Sequence, residues 1–265
     1  IKELLKRGID TVATYRSKAH EPVLPSDVTF FPLDIRDTTS CPFYLLGRPD
    51  VLIHLAWGGL PNYRSLHHFE DELPIQYRFL KRLIESGLNT LIVAGTCFEY
   101  GMQSGPLHED LPTMPCTAYG LAKDTLRKEL DFLKSHYKLS FTWARLFYLY
   151  GEGQSKTSLL SQLERAVNQK EKTFPMSGGE QLRDYLSVEE AAGYLVTLAL
   201  NKGDNGIVNI CSGTPISIRR MVESWIRMNN WEIEINLGYY PYLDYEPMAF
   251  WGVKEKLEKI LKDYE

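Results

Sequence analysis

The chain has 265 residues, a formal net charge of -4, 44% hydrophobic residues and 24% charged residues. That length buries a sizeable core, in one large domain or two unequal ones. The slight acidity excludes a general attraction to nucleic acid or anionic membrane, and no apolar run reaches membrane-spanning length.

Cys41, Cys97, Cys116 and Cys211 form no C-x-x-C pair and have no spaced histidines beside them, so no metal site is expected. Thiols this sparse fit a reducing, cytoplasmic compartment better than a disulfide scaffold. The opening "IKELLKRG" is no signal peptide, because charges interrupt its apolar positions. It reads as the end of an amphipathic helix, with Ile1, Leu4 and Leu5 on one face and Gly8 as its cap.

Strand and helix signals then alternate. "DTVATY" (10–15) and "VTFFPLDI" (28–35) are β-rich, and "PDVLIHLAW" (49–57) is nearly all apolar, as a strand covered on both faces should be. Residues 73–87 carry helical spacing at Ile75, Phe79, Leu80 and Leu83, with Gly87 as a stop. "NTLIVAGT" (89–96) is a buried strand, 118–137 a long amphipathic helix, and "SFTWARLFYLYG" (140–151) one further strand and a turn. Beyond 151 come a helix at 158–171, a loop, strand and helix over 178–200, a strand at 206–213 and a last helix near 252–263. The order implies an α/β fold: a doubly wound parallel sheet with helices on both faces, plus a smaller, discontinuous C-terminal lobe. Ligands of such sheets lie outside the strands' carboxyl ends. "DIRD", "HLAWGG", "GTCFEYG" and "RLFYLYGEGQ" fall there.

In "CTAYGLAKD", Tyr119 stands four residues before Lys123, one helical turn apart. Bringing a phenol from about 10 to about 7 takes roughly 4 kcal/mol. An ammonium about 4 Å away supplies about that at an effective dielectric near 20. The pair can therefore work as an acid/base, although the same spacing suits a packing pair. Thr96 adds a hydroxyl at the end of a neighbouring strand.

Taken with "DIRD", "HLAW", "GTCFEYG", "YGLAK", "RLFYLYGEGQ", "GGEQLRDYLSVEEAA" and "NICSGTPISI", in that order and spacing, the sequence resembles the extended short-chain dehydrogenase/reductase family, the nucleotide-sugar epimerases, dehydratases and reductases. The resemblance covers almost the whole chain and implies a Rossmann-like fold. It implies a dinucleotide-binding domain from 1–150 and 182–212, and a nucleotide-sugar lobe from 151–181 and 213–265. It implies a catalytic set of Thr96, Tyr119 and Lys123, with the lysine lowering the tyrosine's pKa and binding the nicotinamide ribose. Along the cofactor it implies Arg16, Asp34, Ile35, Leu55, Ala56 and Trp57, together with Tyr119 and Lys123. On the sugar-nucleotide side it implies Thr96, Cys97, Tyr148, Leu160 and Arg183, with Gln154 and Leu159 near the base or linker. Arg183 is expected near the diphosphate, against the alternative of an ion pair with Asp184 or Glu189. Partners implied are a dTDP-, UDP-, GDP- or CDP-linked sugar and a second copy of the chain, through helices 68–86 and 118–136.

The chain also departs from the family. Its Gly-rich phosphate loop, G-x-x-G-x-x-G opening a helix, is absent, so a first strand and loop of roughly two dozen residues are expected ahead of "IKELLKRG". At the ribose position Tyr15-Arg16-Ser17 offers an arginine and no carboxylate, which favours NADP(H) over NAD(H). Cys97 and Phe98 stand where a 4,6-dehydratase carries Asp and Glu. Glu99, one place further on, should point the other way. Cys97 reads as a buried structural residue and His54 as a packing one. Tyr239, Tyr240, Tyr242 and Tyr245 read as packing for the second lobe, with a lid over the sugar as the alternative. The chemistry left is hydride and proton transfer at C4 of the sugar, by a 4-ketoreductase making a deoxysugar or by a C4 epimerase. A non-catalytic dinucleotide sensor is the alternative of another class.

Overall fold

In the computed structural model, which describes residues 1–16, 28–201 and 203–264, the strands at the centre are parallel and helices cover both faces. Strand β3 (Val51–His54) pairs with β4 (Thr90–Thr96), β4 with β6 (Ser140–Leu146), and β6 with β10 (Gly206–Ile210). Strands β1 (Val12–Tyr15) and β2 (Thr29–Pro32) form a separate parallel pair, in register from Val12 against Thr29. Ser17, part of the expected ribose position, lies outside the described residues.

Every residue of β4 is buried, which is why it reads as an unbroken apolar run. The period of two sorts its side chains. Leu91 and Val93, with Phe141 and Trp143 of β6, meet α3 (Leu73–Glu85) and α4 (Ala118–Lys134). Ile92, Ala144, Val208 and Ile210 meet α6 (Val188–Asn201) and Leu257 of α8 (Glu255–Lys262) on the other face. At the amino end, α1 (Lys2–Lys6) stops at Gly8, whose φ of 67° closes the turn.

The expected single strand over 140–151 is two strands. After Leu146 the chain leaves the central sheet, and β7 (Tyr148–Tyr150) pairs instead with β9 (Leu182–Ser187), which also carries β11 (Pro215–Ser217). A second core gathers Leu163 and Ala166 of α5 (Leu159–Asn168), Phe174, Met176, and Met221, Val222 and Trp225 of α7 (Ile218–Met228). Helix α7 was not expected from the sequence. Its signals are Ser217, whose hydroxyl accepts from the Arg220 N–H at 3.2 Å, and the buried face formed by Met221, Val222 and Trp225. Among the described residues no helix is long and apolar enough to cross a membrane.

Candidate active site

Thr96 ends β4 and caps the 3-10 turn that follows. Its Oγ1 accepts from the Phe98 N–H at 3.3 Å, while Glu99 Oε1 accepts from the Thr96 N–H at 2.8 Å. Helix α4 starts at a second cap, where the Thr117 hydroxyl accepts from the Gly120 N–H at 3.1 Å. A Cβ on Gly120 would lie 2.6 Å from the Phe98 carbonyl oxygen. Glycine there lets the start of α4 press onto the turn after Thr96 and brings Tyr119 beside it. The Tyr119 N–H is taken by the Tyr63 carbonyl at 3.0 Å.

Lys123 follows one turn later, buried. Its Nζ donates to the Ala94 carbonyl at 2.8 Å and sits 4.0 Å from the centre of the Trp57 ring and 6.0 Å from that of Tyr119. Burial brings the ammonium down to about 7, against the pull of the Glu99 and Glu72 carboxylates. The Tyr119 phenol moves the other way from expectation. Burial raises it above its ordinary value, and the neighbouring Thr96 hydroxyl offsets only part of that. Desolvation is the largest cause, and no positive charge is among the groups that act on the phenol.

Aromatic rings enclose the phenol: His68 at 5.3 Å, Tyr63 at 5.6 Å, Trp57 at 6.0 Å and Phe98 at 6.2 Å between centroids. Behind them runs a buried polar chain. His54 Nε2 meets Gln76 Oε1 at 2.6 Å, and the Gln76 amide donates to the Ala56 carbonyl and to Glu72 Oε2, both at 3.1 Å. Glu72 also accepts from the Gly58 N–H at 3.1 Å. His54 therefore packs and bonds within the strand layer, as expected, and burial keeps it neutral, down to about 4. Sequence reading missed His68, Glu72 and Gln76. The signal was there: they recur every four residues, polar, on the face that α3 buries through Phe79, Leu80 and Leu83.

Cys97 is buried and its thiol is pushed up by desolvation, so it is inert at neutral pH. Phe98 stacks on Tyr63 at 4.7 Å. Glu99 points away from the site, as the sequence implied. Fully buried, its carboxylate accepts from Trp143 Nε1 at 2.9 Å and from Arg145 Nε at 2.6 Å.

Arg183 is nearly closed off from solvent. Its Nε and Nη2 donate to Glu246 Oε2 at 3.2 and 2.9 Å, and Nη1 donates to the Leu182 carbonyl at 2.9 Å. Its ion pair is thus with Glu246, neither Asp184 nor Glu189. Asp184 accepts from the backbone of Ser212, Gly213 and Gly252. Tyr148 lies beside Arg183, ring 5.9 Å from the guanidinium carbon, and its buried hydroxyl has no partner among the described residues. Leu159 and Leu160 are half-buried against the second core, and the Gln154 amide is turned to the Leu149 carbonyl. Tyr245 does approach the site, 6.4 Å from Tyr63, while Tyr242 bonds Glu180 at the surface. Glu246 was missed because nothing in "DYEPM" marks it.

Arg16, Asp34, Leu55 and Ala56 are exposed, and Ile35 and Trp57 half-exposed, at or just past the carboxyl ends of β1, β2 and β3. Leu55, open to solvent just past β3, and the buried ammonium of Lys123 against the Trp57 ring would suit a nicotinamide dinucleotide at its ribose end.

A parallel sheet wound with helices on both faces, with a hydroxyl, a tyrosine and a lysine gathered at the carboxyl end of one strand, defines an extended short-chain dehydrogenase/reductase, an NAD-dependent class of enzyme. The chain belongs to the NAD dependent epimerase/dehydratase family, whose profile matches residues 1–211. It is 29% identical over 256 residues to the dTDP-6-deoxy-L-talose 4-dehydrogenase (NAD(+)) of Aggregatibacter actinomycetemcomitans, spanning 96% of this chain and 94% of that protein. It is 26% identical over 245 residues to a UDP-glucose 4-epimerase of Corynebacterium glutamicum, spanning 83% and 73%. Among solved structures it shares the fold of MoeE5 in complex with UDP-glucose and NAD, with a TM-score of 0.81 and 23% identity over 98% of this chain and 87% of that one.

Proposed function

We propose that the protein is a nicotinamide-dependent 4-ketoreductase of a nucleotide-activated 6-deoxyhexose, acting in deoxysugar or surface-polysaccharide biosynthesis. The observation that carries this reading is the end of β4: Thr96 offers a hydroxyl, Cys97 and Phe98 carry no carboxylate, and Glu99 is turned into the core. Elimination of water needs a second acid/base at those positions, so the chemistry contracts to one carbon. When bound, the nicotinamide ring supplies the hydride for C4. Tyr119 gives its proton to O4, so that C=O becomes CH–OH. A phenol that burial keeps protonated suits that donation, whereas oxidation would need the phenolate. Thr96 orients the same oxygen, and Lys123 holds the ribose.

On this reading, residues 1–150 and 182–212 serve the dinucleotide, and 151–181 and 213–265 the nucleotide sugar. Arg16, exposed at the end of β1, supports NADP(H). The relative matched over nearly the full length of both chains is named for a 4-dehydrogenase of a 6-deoxy sugar, the reverse direction of the same step, and for NAD(+).

The test is incubation of the full chain with a dTDP-4-keto-6-deoxyhexose and NADPH or NADH, following loss of the reduced nicotinamide. Turnover is expected, faster with NADPH, and Tyr119→Phe should lower it by about 10²–10⁴-fold. Interconversion of UDP-hexoses without ketosugar reduction would make the protein an epimerase. Turnover unchanged by Tyr119→Phe would remove the catalytic role altogether.

A further inference from the structure

His68 is buried completely, 51 residues before Tyr119 in the chain, yet its ring stands edge-on to that phenol. Both of its nitrogens are engaged. Nε2 lies 2.9 Å from the Asn62 carbonyl oxygen, which can only accept, so Nε2 carries the hydrogen. Nδ1 lies 3.1 Å from Trp57 Nε1, and an indole N–H can only donate, so Nδ1 presents its lone pair. The two contacts together admit one species, the neutral imidazole protonated at Nε2.

The indole fixed in this way is the one whose face lies 4.0 Å from Lys123 Nζ. Among the described residues Lys123 makes one hydrogen bond, to the Ala94 carbonyl, at the end of a four-carbon stem with rotatable bonds. One bond holds the nitrogen but leaves its other N–H directions free to turn. The indole face supplies the second restraint, worth most where the cation is desolvated. We infer that His68 positions the ammonium of Lys123, acting through the indole of Trp57, and that it does so only as the neutral imidazole.

Protonation would turn Nδ1 into a donor facing the indole N–H and break the link. The charged and titratable groups around His68 are His67, Glu72, Tyr119 and Lys123. Burial and the positive neighbours hold the ring below its ordinary value, with Glu72 and the Asn62 carbonyl opposing. The link is therefore intact at neutral pH and lost on acidification. The consequence for turnover rests on the proposed hydride-transfer site, but the state of the indole does not.

Two readouts separate these. In the full chain without ligand, the Trp57 indole N–H resonance, assigned with Trp57→Phe, should shift between about pH 8 and about pH 5. In His68→Asn, whose carbonyl takes the place of Nδ1 and does not titrate, that response should vanish. In turnover, His68→Leu should lower kcat about tenfold at neutral pH with KM for the sugar unchanged, and the gap to wild type should close on acidification as the wild-type link breaks. His68→Asn should recover most of that loss and move the acid limb of the pH profile. An identical indole response in wild type and His68→Asn overturns the inference, as does an undiminished kcat in His68→Leu. Should His68→Leu fail to fold, the comparison with His68→Asn decides alone. If no nucleotide sugar is turned over, the ketoreductase reading falls while the indole titration still tests this one.

Discussion

At the scale of single residues, the site is governed by desolvation more than by pairing. Lys123 is buried, bonded to one carbonyl and one aromatic face, and its nearest carboxylates, Glu99 and Glu72, do not touch it. Burial brings its folded value down to about 7. In the unfolded chain the lysine keeps its proton up to about 10.4. Between those values the unfolded state binds more protons, so stability rises with pH across that window and is lost again as pH falls to about 7. The slope from this group reaches about 1.4 kcal/mol per pH unit. Urea unfolding at several pH values from neutral to mildly alkaline should show wild type gaining on Lys123→Met, which carries no charge and a similar stem. Parallel curves for the two proteins would mean the ammonium is not desolvated in the fold.

At the scale of elements, the hinge of the site is the junction of β4, β6 and the turn after Thr96. Glu99 and Arg145 form a fully buried ion pair there, and the same carboxylate takes the N–H of Thr96 and the indole of Trp143. Arg145 Nη1 and Nη2 have no partner among the described residues, and the guanidinium lies 4.4 Å from the Tyr100 ring. Such a pair returns little net stability but is costly to halve. Glu99→Ala should cost about 3–5 kcal/mol in denaturant unfolding, because it strands the arginine. Glu99→Leu combined with Arg145→Met should recover most of that loss. Equal destabilisation of the single and double variants would show that Thr96's lost hydrogen bond, not the stranded charge, sets the cost. The helices and strands themselves were legible because their apolar periods are strong: β4 and α4 lie within three residues of where the pattern put them. The buried polar network was harder to see, since Glu99, Arg145 and Trp143 find one another only after β4 and β6 pair. Helix α7 had its cap in the sequence at Ser217 and its stripe at Met221, Val222 and Trp225. The break at Phe147 depends on β9 being available as a partner, which no local pattern encodes.

At the scale of the molecule, α3 and α4 pack side by side on one face of the sheet and turn their other sides to solvent. On α4, Leu121 is 46% exposed and Phe132 is 70% exposed. They stand three turns apart on one stripe, with Thr125 and Lys128 between them. Arg78 and Glu85 of α3 are exposed alongside. A phenylalanine left this open on a helix gains by packing against a second apolar stripe, and an antiparallel copy of α4 would set Leu121 of one chain near Phe132 of the other. We propose that this face joins two copies of the chain in a four-helix contact. Charge at both apolar positions should undo it, because an unpaired charge in such a contact has no compensating partner. Sedimentation at micromolar concentration should give a dimer for wild type and a monomer for Leu121→Glu with Phe132→Glu, which sets like charges opposite one another. Helical content should be unchanged, since both side chains lie outside the core. A wild-type monomer across that range would mean the stripe is ordinary surface, and a dimer that survives both charges would put the interface elsewhere.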